Sequence, residues 1–526
     1  MKHKIYNYLA GFFSLAIITT SCVNDEDLIQ VDPNNNAVDS FWKTDSDALQ
    51  GVNAAYGSLL TDGTYMRSTP LLLDLKGDDC RSNSPWPAMA NVGKFNSNVS
   101  DAAIYGWAYE TYYQGIFRAN QVLTNVPGIN FEDTALKDRI LGQAYFLRGL
   151  YLFHAVNMFK NVPVPTELAA IYPQKTEAEG WAQVIADFKK AAELLPVSYQ
   201  NLSGIDAKDS QGNPIKGRAT KGAALGYLGK AYLFTKDFTN ARDTFKEVID
   251  LGVYSLVSNY RDNFTETNEN NSESLFEVQF SREAGGVDLG WGGAPASGWG
   301  KTSARAITYG PRDFGFTDVQ PTRALFDEFH QELTLSGAID PRLDATMFYN
   351  KPGGMQLYGQ DFATKYASNS GDLNDLFCRK YQNSDGQKVN EFDWRSGINE
   401  RLLRYADILL MYAECLNETG NTAGAYTYIQ MVRDRVNLPV LSVVKPNMTK
   451  EQMREQIGHE RFLEFPLEGH RFDDIRRWGW LQDPVKLVWL KARDAEFNSY
   501  AAGREFFPIP QLERDNNPGT IQNDSY

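Results

Sequence analysis

The sequence predicts a mostly α-helical fold, a scaffold of stacked helix pairs carrying long irregular loops and a few short strands. Three observations predict it. Apolar residues recur at helical spacing through several long stretches. Two of those stretches share one pattern of small and large residues. The segments between them lose all periodicity and gain Gly, Asn, Ser and aromatic residues.

The first long helix is expected over Leu136 to Phe159, where Ala144, Leu147, Tyr151, His154 and Met158 fall at spacings of three and four. It must stop before Asn161-Val162-Pro163-Val164-Pro165, because proline removes a backbone donor and disfavours helix at the residue before it. Thr176 and Glu179 form a capping box for the next helix. Its face is Trp181, Val184, Ile185, Phe188, Ala192 and Leu195, and Pro196 ends it.

After Gly222 the pattern sharpens. Leu225, Leu228, Gly229, Tyr232, Ala241, Phe245 and Val248 stand at the offsets of a tetratricopeptide unit, with Leu225 where that pattern favours Trp. Gly229 and Ala241 let two antiparallel helices approach, and Lys236-Asp237-Phe238 makes the turn. Ala413, Leu416, Ala425, Ile429 and Val432 repeat the offsets, with Leu416 replacing Tyr. The expected architecture is a tetratricopeptide-like helical-repeat scaffold of about eight helices.

Residues 62–110 and 255–400 read differently. Ser274 to Phe280 suggests a short strand, and Gly285 to Gly300 is glycine-rich and carries Trp291 and Trp299. Long irregular segments in a compact protein are usually functional. Two loop regions mounted on a helical scaffold are therefore expected.

Composition narrows the function. The 526 residues are 42% hydrophobic and 22% charged, a globular balance. Fifty-two basic against 66 acidic residues give a net charge of −14, which argues against a nucleic-acid partner. Aromatics reach 13%, more than a helical core requires, and aromatic rings stack on sugars.

The N-terminus reads as an address. Lys2, His3 and Lys4 precede an apolar run from Tyr8 to Ile18. That run is too short to span a bilayer, which takes about 20 residues, but it suits a signal-peptide core. It ends in Thr19-Thr20-Ser21-Cys22, which resembles a bacterial lipobox, with Thr19 where Leu is common. Cleavage before Cys22 would leave its thiol to carry diacylglycerol, and two or more acyl chains anchor stably. Val23-Asn24-Asp25-Glu26-Asp27 then resembles an acidic signal for export to the outer cell face.

Metal and nucleophile chemistry find little support. Cys80, Cys378 and Cys415 show no CxxC spacing, and the five histidines show no paired-ligand spacing. Cys415 and His154 read as core, and a Cys80–Cys378 bridge stays open. Gly300-Lys301-Thr302 suggests a phosphate loop, but the required upstream glycine is Pro295, which lacks the amide that would hold phosphate. Two opposed carboxylates for glycoside hydrolysis can be drawn in many ways, and no spacing selects a pair.

A sugar-binding reading has more behind it. A sugar offers flat C–H faces ringed by hydroxyls, so its binder needs an exposed aromatic platform with carboxylates, amides or guanidiniums at the rim. Asp78-Asp79-Cys80-Arg81-Ser82-Asn83-Ser84-Pro85-Trp86-Pro87 offers both within ten residues. The candidates are Trp86 with Asp78, Asp79, Arg81 and Asn83, then Trp291, Trp299 and Tyr309 as a second wall, and Trp394.

The C-terminus carries a family pattern. The segment from Glu460-Arg461-Phe462-Leu463-Glu464-Phe465-Pro466-Leu467-Glu468-Gly469-His470-Arg471-Phe472-Asp473-Asp474-Ile475 to Arg476-Arg477-Trp478 resembles the signature of the SusD/RagB family. Phe507-Pro508-Ile509-Pro510-Gln511-Leu512-Glu513 and Gln522-Asn523-Asp524-Ser525-Tyr526 resemble its tail, and Arg404 to Glu414 and Gln143 to Arg148 resemble its repeat helices. The signature's alternating Glu and Arg residues read as buried or half-buried ion pairs bracing the scaffold.

The resemblance implies a SusD-like fold and a surface-exposed, lipid-anchored outer-membrane protein. Such a protein binds oligosaccharide or polysaccharide and delivers it to a SusC-like TonB-dependent β-barrel, with no catalysis and no cofactor. Peptide capture on the same fold and a surface glycoside hydrolase are the alternatives. The implied division is a leader at 1–21, a tether at 22–40 and one domain at 41–526, with parts at 41–218 and 219–526.

Overall fold

Helix boundaries fall where side chains satisfy the free backbone groups of each end. The computed structural model describes residues 41–282, 302–385, 391, 394 and 396–526. Helix α1 (Asp45–Gly57) and the short α2 (Ser68–Asp74) pack against α3 (Tyr105–Asn125). From there the chain stacks helix on helix. α3 lies on α4 (Thr134–Phe159), α4 on α5 (Glu177–Leu194), α5 on α6 (Lys221–Phe234) and α6 on α7 (Phe238–Asp250). α7 packs on α8 (Tyr405–Glu418), α8 on α9 (Thr422–Arg435), and both on α10 (Lys450–Glu464). Among the described residues, α3 to α10 make a stack of eight helices, the number expected, of which α3 and α10 are the two that the sequence reading did not mark.

The expected α4 begins two residues earlier than predicted, because the Asp133 carboxylate accepts from the amides of Ala135 and Leu136. From Gly142 onward almost every α4 residue is buried, so this helix is the central rod, covered on all sides, with Arg148 paired to Asp187. The Thr176–Glu179 capping box starts α5 as read from the sequence. Gly229 is required by close approach: a Cβ there would sit 2.5 Å from the Phe245 ring on α7.

Residues 62–110 are more ordered than expected. They contain α2, the helix Pro87–Gly93 and the start of α3. Pro87 is the first residue of its helix, where a missing amide costs nothing. Pro85 and Pro87 mask the local periodicity, and α2 is too short to show any.

Strands are short and antiparallel. β1 (Cys80–Ser82) pairs with β3 (Val319–Pro321) in the register Cys80↔Pro321, Arg81↔Gln320, Ser82↔Val319. The predicted strand appears as β2 (Ser274–Val278) and pairs with β4 (Glu400–Arg404). β1 and β3 therefore tie residues 80–82 to residues 319–321.

The signature residues brace the interior. Arg404 donates to Glu468 at 2.7 Å and to Glu464 at 3.0 Å, and Arg342 donates to Glu464 at 3.2 Å. Lys380 donates to Glu468 at 2.8 Å. Arg461 joins Asp407 and Asp474 at 2.6 and 2.7 Å, and Arg477 joins Asp474 and Glu414. All these groups are buried. Removing one partner from such a pair leaves the other charge uncompensated, at a cost of about 3–5 kcal/mol.

Cys415 is core, as read. His154 is also core, and its Nε2 meets the Tyr65 hydroxyl. Burial pushes the His154 imidazole down to about 3. Cys80 and Cys378 carry free, buried thiols that face the carbonyls of Asp74 and Val319. Among the described residues, no helix is long and apolar enough to cross a membrane.

Candidate functional site

The β1–β3 pairing builds the site. Past Ser82 the chain continues beside residues 316–318, where Asn83 donates its amide to the Asp318 carbonyl at 2.8 Å and its side chain to Thr317 at 3.4 Å. Trp86 follows, held in an extended backbone by Pro87. Its ring lies 5.8 Å from Trp107 of α3, the planes tilted by 34°. Both indoles are half-buried.

A cation lies against this pair. The Arg67 guanidinium carbon is 5.7 Å from the Trp86 ring and 5.9 Å from Trp107, within reach of cation–π attraction. Arg67 is itself fixed by Asp62, with its Nε 2.7 Å from the carboxylate. Burial raises the Asp318 carboxyl above its usual range, against the Ser84 hydroxyl and Arg67, which favour its charged form.

A second aromatic pair adjoins the first through residues 316–318. Phe316 is 44% exposed, and Trp394 meets it edge-on at 5.1 Å. Trp394 adopts a left-handed backbone, φ 57°, which is costly for a bulky residue and is found where surrounding structure imposes it. Thr302, the first described residue after 301, donates to the Trp394 carbonyl at 3.3 Å. The tight turn before Phe316 needs two glycines, since a Cβ on Gly315 would lie 2.6 Å from the Gly310 Cα.

The structure thus bonds Asn83, three residues before Trp86, to residues 317–318, next to the Phe316 that meets Trp394, and leaves Arg81 exposed. It corrects three other candidates. Asp78 is fully buried and bonded to Arg471 and Arg493. Asp79 is buried, accepts from the Leu467 amide at 2.9 Å, and is pushed up to about 7 by burial and by neighbouring Asp74. Tyr309 is 2% exposed and donates to Asp74 at 2.8 Å. Acidic residues beside a signature rich in arginine are drawn inward as its counter-charges. Trp291 and Trp299 lie outside the described residues, as does Cys22.

Sequence reasoning missed Trp107, Phe316, Arg67 and Asp318. Trp107 falls on the helical spacing of Ile104, Ala108 and Thr111, so periodicity assigns it to a core face. The Gly310–Gly315 spacing before Phe316 is the one signal that marked an outward turn.

What the geometry defines is a helical-repeat protein with a cation-backed aromatic platform on a loop-built face, the equipment of a binding protein. Comparison with known proteins agrees. Residues 272–526 match the model of the SusD family, and residues 40–233 match a model described as starch-binding associating with outer membrane. The chain belongs to the SusD/RagB family. SusD-like protein P25 of Formosa agariphila is 25% identical, with 99% of each chain aligned. The starch-binding protein SusD of Bacteroides thetaiotaomicron is 25% identical over the whole of both chains. Among solved structures, a SusD superfamily protein from Bacteroides vulgatus superposes with a TM-score of 0.77 at 26% identity, covering 92% of this chain and all of that one. A laminarin-binding SusD-like protein gives 0.72 at 26% identity with the same coverage.

Proposed function

We propose that the protein captures oligosaccharide or polysaccharide at the outer cell surface and hands it to a SusC-like TonB-dependent β-barrel, without cleaving it. The observation that carries the reading is the Trp86–Trp107 platform backed by Arg67. Two half-exposed indoles offer stacking area for the C–H face of a sugar ring, and Asn83, Arg81 and Asp318 supply hydrogen-bonding groups nearby. The relatives named for starch and laminarin support glycan as the ligand class. Lipid on Cys22 and the acidic tether after it would hold the protein at the outer membrane.

Isothermal titration of the soluble mature chain against a panel of neutral oligosaccharides tests this. Saturable binding is expected with a Kd of roughly micromolar to millimolar, or about −8 to −4 kcal/mol, because an importer must release its cargo. Reducing-sugar release proportional to protein concentration would instead support the hydrolase reading. Failure of every glycan alongside binding of peptides would support peptide capture.

A further inference from the structure

Away from the platform, one cluster joins a histidine to two carboxylates. Glu332 follows the helix Arg323–Glu328, and His459 and Glu460 are consecutive on α10. One ligand atom from each lies within 4.8 Å of the other two. That spacing suits a single ion between them.

The histidine is set up as metal-binding histidines are. Its Nδ1 lies 2.8 Å from Glu328, whose other oxygen accepts from Arg493 at 2.8 Å. A carboxylate holding the Nδ1 proton fixes the ring and leaves Nε2 with the lone pair. Glu460 is fully buried. Its Oε1 accepts from Arg433 and from Gln456 at 3.0 Å. Its Oε2 accepts no hydrogen bond, with Arg342 Nη2 3.7 Å away. A buried carboxylate oxygen without a donor is an expensive arrangement unless something else meets it.

Arg433 is the competing partner, since it also donates to Glu332 at 2.9 and 2.6 Å. Those bonds use one direction on each Glu332 oxygen, and a carboxylate has about four. The three carboxylates Glu328, Glu332 and Glu460 face three guanidiniums, Arg493, Arg433 and Arg342, so the ion would have to displace Arg433 from its bridge between Glu332 and Glu460. The cluster borders a groove of about 690 Å³ lined by Glu328, Glu332, Gln452, Gln456 and His459, with space for water ligands.

We propose that Glu332, His459 and Glu460 bind one divalent cation of the zinc type. Imidazole with carboxylates is a zinc donor set, whereas calcium and magnesium take oxygen ligands alone. The ion would clasp the segment after the Arg323–Glu328 helix to α10.

Zinc titration of the metal-stripped mature chain, purified without a histidine tag, tests this by calorimetry and by metal analysis after dialysis. One equivalent per chain is expected, with a rise in melting temperature. His459→Ala and Glu332→Gln should each weaken binding at least tenfold. His330→Ala, at an exposed histidine in the turn after the Arg323–Glu328 helix, should leave it unchanged. Glu332 is half-exposed, so Glu332→Gln keeps the test available should His459→Ala fail to fold. Absence of saturable uptake at millimolar zinc would overturn the proposal. So would wild-type affinity in both Glu332→Gln and His459→Ala.

Discussion

Trp86 and Asp78 stand eight residues apart and do opposite work. Trp86 meets Trp107 on a half-exposed face, so Trp86→Ala should weaken glycan binding at least tenfold, about 1.4 kcal/mol, with little change in melting. Calorimetry beside a thermal melt checks it, and a large loss of stability with unchanged affinity would show the ring to be core. Asp78 is locked to Arg471 and Arg493 in the interior. Asp78→Ala should cost about 3–5 kcal/mol of stability, because it strands the buried Arg471 guanidinium and leaves half-buried Arg493 with Glu328 alone. Denaturant unfolding would show it. Sequence alone does not separate these roles, since burial depends on the arginines roughly 400 positions away. Five other acids bear on the pH response, and Glu269, Asp494 and Glu496, raised by burial to about 7, 6 and 8, act in the same sense as the two fully buried ones. Burial raises Asp79 and Glu400 to about 7, while the same groups ionise near 4 in the unfolded chain. The folded state therefore binds more protons than the unfolded one up to about pH 7, and stability falls as pH rises through that range. His154 and His470, pushed down to about 3 by burial, act in the opposite sense, but only below their ordinary 6.5. Between pH 6.5 and 7.5 the carboxyls prevail, so the melting temperature should fall, and Asp79→Asn should flatten the slope. A rising curve would contradict the assignment.

Helices α4 and α5 were legible from their repeating apolar residues and from the Thr176–Glu179 capping box, whereas the 21-residue α3 and the Thr449–Gln452 capping box that starts α10 went unread. Loop-borne elements were not legible either. α2 has seven residues, and the turn that presents Phe316 rests on Gly310 meeting Gly315. The platform stayed half-hidden for a related reason. Its rings come from a loop, a long helix and two later segments, joined by a three-residue β pairing with no signal of its own. One element makes this dependence testable. Gly63 lies where a Cβ would be 2.3 Å from the Trp107 carbonyl and 2.3 Å from the Thr111 hydroxyl, both on α3. A backbone carbonyl in a long helix cannot yield cheaply. Gly63→Ala should cost about 1–3 kcal/mol through overpacking and should also shift the Trp107 indole, so glycan affinity and tryptophan fluorescence should change together. Loss of stability with both readouts intact would mean that the platform is insulated from its support.

At the scale of the molecule, no described helix is long and apolar enough to cross a membrane. On the reading proposed above, a captured glycan is passed to a SusC-like barrel, the recipient that the SusD/RagB resemblance implies. The fold suits that division of labour. The stacked helices are braced by buried ion pairs, while the platform sets the loop-borne Trp86 against Trp107 of α3. A binder that must stay attached to its transporter through repeated opening needs an interface above about 2,000 Å², the size of lasting complexes. Lipid on Cys22 would confine both partners to one membrane plane and raise their effective concentration. Cys22→Ala should release a folded protein from the membrane fraction while its glycan affinity stays unchanged, since the anchor lies outside the binding face. Purification of the tagged, lipidated protein in mild detergent at native expression should recover a large β-barrel in constant ratio. Trp86→Ala should leave that ratio intact, because its ring serves the ligand and the scaffold serves the partner. Recovery of the wild-type protein alone at low salt would count against the barrel and leave a free-standing surface binder.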